Sequence, residues 1–194
     1  MTLQLTKKHS FDSVYDSQKM YRLILEAMFN PGRIVNVQEY ADKLYGGFPA
    51  FLAVAMTLLD NEVTFHVCEN SSLADEIESL TLAGNINLDE ADFIFACNYS
   101  VIESAIENAK CGNLDDPHKS ATVIIQNNGV PAFNMTLYGP GINGLAEVML
   151  TQTVKDAIAM RDAQNYEYPQ GIDLLFISGA GEVFAIPRLV RVVE

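Results

Sequence analysis

The chain has 194 residues, 49% of them hydrophobic and 19% charged, and its 12 basic and 25 acidic side chains leave a formal charge of -13. That composition supports a buried core and excludes an intrinsically disordered chain, and the length suits one domain. The charge speaks against binding bulk nucleic acid, which needs clustered Lys and Arg that this sequence does not show.

Met1 to Ser10 carries Lys7 and Lys8 with no apolar stretch behind them, so no secretory signal is expected and a cytoplasmic address follows. Asp16 or Ser17 is the expected cap of a first helix running to about Asn30, with Met20, Leu23, Ile24, Ala27 and Met28 on one face and Pro31 and Gly32 as the stop. Ile34 to Val37 reads as a short extended segment and Tyr45 to Gly47 as a loop. Pro49 opens a second, largely buried helix to about Leu59. Its nearly apolar run, Phe48 to Leu59, is far short of the roughly 20 residues of a membrane span, so no membrane association is expected. Val63 to Val67 reads as a strand. Ser72 with Asp75 resembles a capping box for a helix to Gly84, and Ser100 with Glu103 repeats it for a helix ending near Gly112. Between them, Phe93 to Cys97 is a continuous apolar run that fits a strand covered on both faces.

In the second half, Ala121 to Ile125 and Ala132 to Tyr138 flank Asn127, Asn128 and Gly129, a turn composition that predicts a β-hairpin. A helix from about Gln152 to Asn165 follows. Ile172 to Ile177 and Val183 to Ile186 then enclose Ser178 to Gly181, a second hairpin closed by Pro187. Alternating helices and strands followed by hairpins predict one α/β domain with a mixed sheet and packed helices.

Few constellations carry chemistry. Gly139 to Gly144 matches GxGxxG after a predicted strand, but Pro140 removes a donor from the turn and no ribose-binding acid follows at the usual offset; a tight loop with positive φ is the stronger reading. His66 and Cys68 would share a strand face, the geometry of a metal pair, without further ligands in sight. Asp115, Asp116 and His118 offer oxygen and nitrogen ligands, yet are equally ordinary turn chemistry around Pro117. Cys68, Cys97 and Cys111 form no CxxC pair and suit reduced, buried thiols. Neither GxSxG, HExxH nor a Walker loop occurs. Arg22, on the exposed side of the first helix, and Arg188 are the most noticeable cations; arginine forks suit carboxylate or phosphate, and a salt bridge to one of the 25 acids is the more frequent outcome.

Five stretches in order give a family resemblance: Phe11 through Met28 to Asn30, Pro31, Gly32; Leu58, Leu59, Asp60; Leu137 to Ile142; Tyr168 to Asp173; and Ala185, Ile186, Pro187, Arg188. Together they resemble PhnH, a subunit of the bacterial carbon-phosphorus lyase system, across nearly the whole chain. The resemblance implies a reduced fold of the pyridoxal-phosphate-dependent transferases without the cofactor site; the seven lysines, none in a recognisable motif, are consistent with that loss. It further implies a homodimer in isolation and membership of a core complex with PhnG, PhnI and PhnJ. That complex uses ATP and an alkylphosphonate to release adenine and form ribose 1-alkylphosphonate 5-triphosphate. A radical step on PhnJ, with an iron-sulfur cluster and S-adenosylmethionine, later breaks the C–P bond.

Managing a triphosphate requires positioned cations or metal, whereas this chain has five arginines at a net charge of -13. A structural or regulatory subunit, with no catalytic or metal-ligating residue and no cofactor of its own, is the leading expectation. The rival expectation makes the chain a contributor of nucleotide or phosphonate contacts, and a third makes it a stand-alone enzyme. The candidate binding residues are Arg22, Gly139, Pro140, Gly141, Asp173 and Arg188.

Overall fold

Continuous apolar runs build the centre of the protein. Strands β4 (Phe93–Ala96), β5 (Thr122–Gln126) and β8 (Asp173–Ile177) are buried along nearly their whole length, as strands covered on both faces must be. In this computed structural model, which describes residues 9–193, they form the middle of a seven-stranded sheet. The sheet is completed by β1 (Val35–Asn36), β2 (Thr64–Val67), β3 (Gly84–Asn85) and β9 (Glu182–Ile186), in the order β1-β9-β8-β5-β4-β2-β3. β3, β2, β4, β5 and β8 run parallel, β9 is antiparallel to β8, and β1 is antiparallel to β9. The amino-terminal stretch with Lys7 and Lys8, read above for a secretory signal, lies outside the described residues.

Alternation along the strands divides the core in two. Phe65, Val67, Phe95, Ile124, Leu175 and Ile177 face α1 (Tyr15–Phe29), α2 (Gln38–Ala41), α3 (Pro49–Leu58) and α4 (Ser71–Thr81). Ile94, Ala96, Val123, Ile125, Leu174 and Phe176 face α5 (Ile102–Asn108), α6 (Gln152–Ala163) and a second sheet. That sheet is antiparallel and three-stranded, ordered β10-β6-β7, from β6 (Phe133–Tyr138), β7 (Ala146–Leu150) and β10 (Arg191–Val193). Its inner face contributes Met135, Leu137 and Leu150 to the core. The molecule is thus a single α/β domain with a mixed sheet. No helix among the described residues is long and apolar enough to cross a membrane.

Several expectations are met and others corrected. The β8–β9 hairpin is present, with Leu174 opposite Ile186. The earlier hairpin is not: β5 lies between β4 and β8 in the large sheet, while β6 pairs with β7 and β10 in the small one. Burial decides this, because β5 needs cover on both faces and β6 alternates between inside and outside. β3, β7 and β10 were not anticipated.

Helix starts also differ from expectation. At α1 the Asp12 carboxylate accepts from the amides of Val14 and Tyr15, and Asp16 reaches back to the Asp12 amide, a reciprocal cap one turn earlier than expected. Asn70, rather than Ser72, caps α4 by accepting from Leu73 N at 3.1 Å. α4 stops at Thr81 because Leu82 turns left-handed, at φ 62°. A short 3-10 turn, Tyr99–Val101, leads into α5; there the Ser100 hydroxyl donates to Asn98 and does not cap the helix.

Candidate functional site

The topology marks one end of the large sheet. From β2 the chain passes through α4 on one face to β3, and from β4 through α5 on the other face to β5. Connections diverging in this way mark the carboxyl ends of β2 and β4, the usual place for ligands in doubly wound sheets. Cys68 and Cys97 occupy it. Both thiols are free and buried, and burial pushes them up to about 11 and about 12, so neither is a thiolate at neutral pH.

Further along the same edge lies a cavity of about 350 Å³ between the β8–β9 turn, β7 and the connection after β5. Asn127, Glu147, Thr151, Ser178 and Glu182 supply its polar groups, and Phe184 with neighbouring aliphatic side chains forms its apolar wall. Thr151 fixes one side: its hydroxyl donates to Asn127 Oδ1 at 2.6 Å and accepts from Val154 N, capping α6. The Ser178 hydroxyl accepts from the amides of Ala180 and Glu182, holding the β8–β9 turn. Two carboxylates line this cavity and no Lys, Arg or His does. Such a lining repels phosphate and phosphonate and suits an uncharged or cationic group.

The residues singled out from the sequence sit elsewhere and are occupied by the fold. Gly139, Pro140 and Gly141 begin the connection from β6 to β7, which ends in a strand and not in a helix, so it lacks the helix start of a phosphate-cradling turn. Two of its glycines serve close packing. A Cβ on Gly139, at φ 136°, would stand 2.9 Å from Leu189 O, and one on Gly141, at φ 85°, would stand 2.5 Å from Phe29 O. Asp173 and Arg188 do come together. The guanidinium Nη2 meets Asp173 Oδ2 at 2.8 Å, the Arg188 amide donates to Asp173 Oδ1 at 2.8 Å, and Nη1 donates to Pro117 O. Arg188 therefore binds β8 and the 117 segment together, the salt-bridge reading of that residue. Arg22 is exposed on α1 and makes none of these contacts.

The remaining clusters hold their own turns or neighbours. His66 Nδ1 lies 2.8 Å from Ile86 O. Asp116 pairs with Lys119 at 2.7 Å next to His118 on an open turn. Among the described residues no three His, Cys, Asp or Glu groups gather where they could hold a metal ion.

Sequence reasoning missed Arg161. It is 1% exposed, and its five N–H groups meet the carbonyls of Ile186, Pro187 and Val190 and the Asp162 carboxylate at 2.7 to 3.3 Å. A signal existed: Arg161 continues the inner stripe of Val154, Ala157 and Ile158 at helical spacing. Burial pulls its guanidinium down from its ordinary value, opposed by Asp162. Beside it, Arg191 donates to the carbonyls of Arg188 and Val190. Of the five arginines, Arg161 and Arg191 are thus committed to carbonyls between Ile186 and Val190, and Arg188, within that segment, to Asp173 and Pro117.

Comparison with known families adds one finding. The sequence model of the family described as bacterial phosphonate metabolism protein (PhnH) matches residues 9–193. No curated protein matches the chain.

Proposed function

As the chain belongs to the PhnH family of bacterial phosphonate metabolism, we propose that it is a non-catalytic accessory subunit of the carbon-phosphorus lyase core complex, acting with PhnG, PhnI and PhnJ in the cytoplasm. In this reading the complex carries out the ATP-dependent conversion of alkylphosphonate to ribose 1-alkylphosphonate 5-triphosphate, and this subunit supplies structure with no cofactor of its own. One observation carries it: the 350 Å³ cavity is lined by Glu147 and Glu182 without a cation, while Arg161, Arg188 and Arg191 are spent on the protein's own carbonyls and carboxylates. A site that stabilises a polyphosphate needs the opposite arrangement, with free donors aimed at the developing charge. Homodimerisation in isolation and a reduced relation to the pyridoxal-phosphate-dependent transferases belong to the same reading. Sedimentation of the pure chain tests the first, and superposition of the seven-stranded sheet on such an enzyme tests the second.

The decisive experiment co-expresses the tagged chain with PhnG, PhnI and PhnJ and follows both co-purification and adenine release from ATP and methylphosphonate. The three partners should be retained, and the chain alone should release no adenine. Release by the chain alone, or failure to retain any partner, overturns the reading.

A second reading, in which the chain holds a small ligand for the complex, is favoured by the same cavity and its lining chemistry. Glu147→Gln together with Glu182→Gln should then lower the activity of the assembled complex without loss of assembly; unchanged activity removes this version.

A further inference from the structure

The outer face of α1 carries a stripe that the fold leaves uncovered. Tyr15, Gln18, Arg22, Leu25 and Phe29 follow one another at i, i+3, i+7, i+10 and i+14, the spacing of a seam between two packed helices. Inward-facing Met20, Ile24 and Ala27 are buried, whereas Tyr15 is 70% and Phe29 66% exposed, with Val14 and Tyr21 widening the apolar surface. Large aromatic side chains gathered on one exposed helix face are a mark of an interaction site.

Charge narrows the occupant. Arg22 stands exposed in this stripe and Lys19 beside it; neither makes a hydrogen bond or ion pair among the described residues, and the carboxylate whose charge Lys19 feels, Asp16, is held by Lys43 at 2.7 Å. The nearby carboxylate, Glu26, is already held by Arg33 at 2.9 Å. In a chain of net charge -13, the centre of this stripe is locally positive. A second copy packed antiparallel on the stripe would place Arg22 against its own mate, because the centre of a two-fold interface meets itself. That arrangement sets like charges together at the middle of the contact.

We propose that the outer face of α1 docks an amphipathic helix of a different polypeptide, one that offers apolar residues to Tyr15, Leu25 and Phe29 and a carboxylate to Arg22. The inference rests on the accessory-subunit reading above and specifies the surface it uses. Arg22 supplies specificity and the aromatic pair supplies buried area.

The test uses the tagged full-length chain co-expressed with PhnG, PhnI and PhnJ. Arg22→Glu with Leu25→Asp should reduce the co-purified partners by about tenfold or more, since both a central charge and an apolar anchor are reversed. Lys19→Glu with Arg22→Glu, which leaves every apolar residue in place, should also weaken capture while the melting temperature stays at the wild-type value. Retention of the partners at the wild-type level by both variants, in low and moderate salt, overturns the inference while leaving the accessory reading intact. Failure of the wild-type chain to retain any partner overturns both. Sedimentation of the chain alone provides the last arm: a dimer that Phe29→Asp converts to a monomer identifies a second copy as the occupant, and likewise overturns the inference.

Discussion

The same side chain does opposite things in two regions of this molecule. Around β9 and β10, Arg161 is buried and Arg188 and Arg191 are half-buried, and all three bond carbonyls or carboxylates of their own chain. On α1, Arg22 projects into solvent among aromatic residues. The contrast arises from what surrounds each residue. The segment from Ile186 to Val190 leaves carbonyls pointing at the core, and a buried carbonyl must find a donor, so arginine forks are drawn in. The carbonyls of α1 accept within the helix, and at its end Glu26 O takes both the Asn30 amide and Asn30 Nδ2, so no orphaned acceptor recruits Arg22. Arginines that hold the fold and arginines available to a partner are thus separable by asking where orphaned acceptors lie.

Substitutions can break that separation in a graded way. Arg161→Met should have the largest effect, about 3–5 kcal/mol of stability in urea denaturation at neutral pH, because it strips buried donors from three carbonyls and leaves Asp162 only the longer contact to Arg191 at 3.9 Å. Arg188→Gln should cost about 1–3 kcal/mol, since Asp173 stays partly served by the Arg188 amide. Faster hydrogen exchange should follow in the 117–121 segment that Arg188 anchors.

A smaller effect is expected where a carboxylate, not an arginine, is the inward-facing partner. Burial alone would raise the Asp16 carboxyl, but the Asp12 amide and Lys43, at 2.7 Å, outweigh it and hold the group below its ordinary 3.8. A carboxyl lowered on folding lends stability above its unfolded value, and that stability is lost as pH falls through the folded one. Unfolding midpoints should therefore decline as pH drops below about 3.8, and Asp16→Asn should flatten that part of the profile. Arg22→Gln marks the other extreme, with stability unchanged within about 0.5 kcal/mol and any consequence confined to association. A shift in melting temperature as large as that of Arg188→Gln would erase the distinction between the two regions. The thiols sharpen it from outside the charged set: a disulfide reagent at pH 8 should modify half-buried Cys111 first and reach buried Cys68 and Cys97 on unfolding.

What could be read before the structure follows the range of the interactions involved. The helices α1, α3, α4 and α6, and the parallel strands β2 and β4, carry their periodicity locally, and their positions matched within a few residues. The β5–β6 connection did not, because Asn127, Asn128 and Gly129 satisfy a hairpin's turn chemistry while the continuous Val123, Ile124, Ile125 run demands neighbours distant in sequence. Comparison of that run with the alternating Phe133 to Tyr138 already contained the distinction between the two sheets. For the candidate site, Asp173 and Arg188 were noticed, but that they neutralise each other is a three-dimensional fact. Arg161 was overlooked although its place on the inner stripe of α6 was readable. The cavity with Glu147 and Glu182 draws on three separate segments, and no local pattern joins them.

The earliest strand in the described chain has a remote partner. β1 pairs with β9 alone, Val37 N donates to Gly181 O at 2.7 Å, and Asn36 bonds Ala180 across 144 residues of sequence. During synthesis, then, the helix that precedes β1 gains α3 as a neighbour early, where the Ser17 hydroxyl donates to Met56 O, while its side against β9 stays unshielded until the β8–β9 turn has been made. Separations of this size slow folding and prolong the exposure of sticky surface. The nascent protein should accordingly lean on holding chaperones, and its yield in a heterologous host should rise at low growth temperature more than that of a domain built from neighbouring segments.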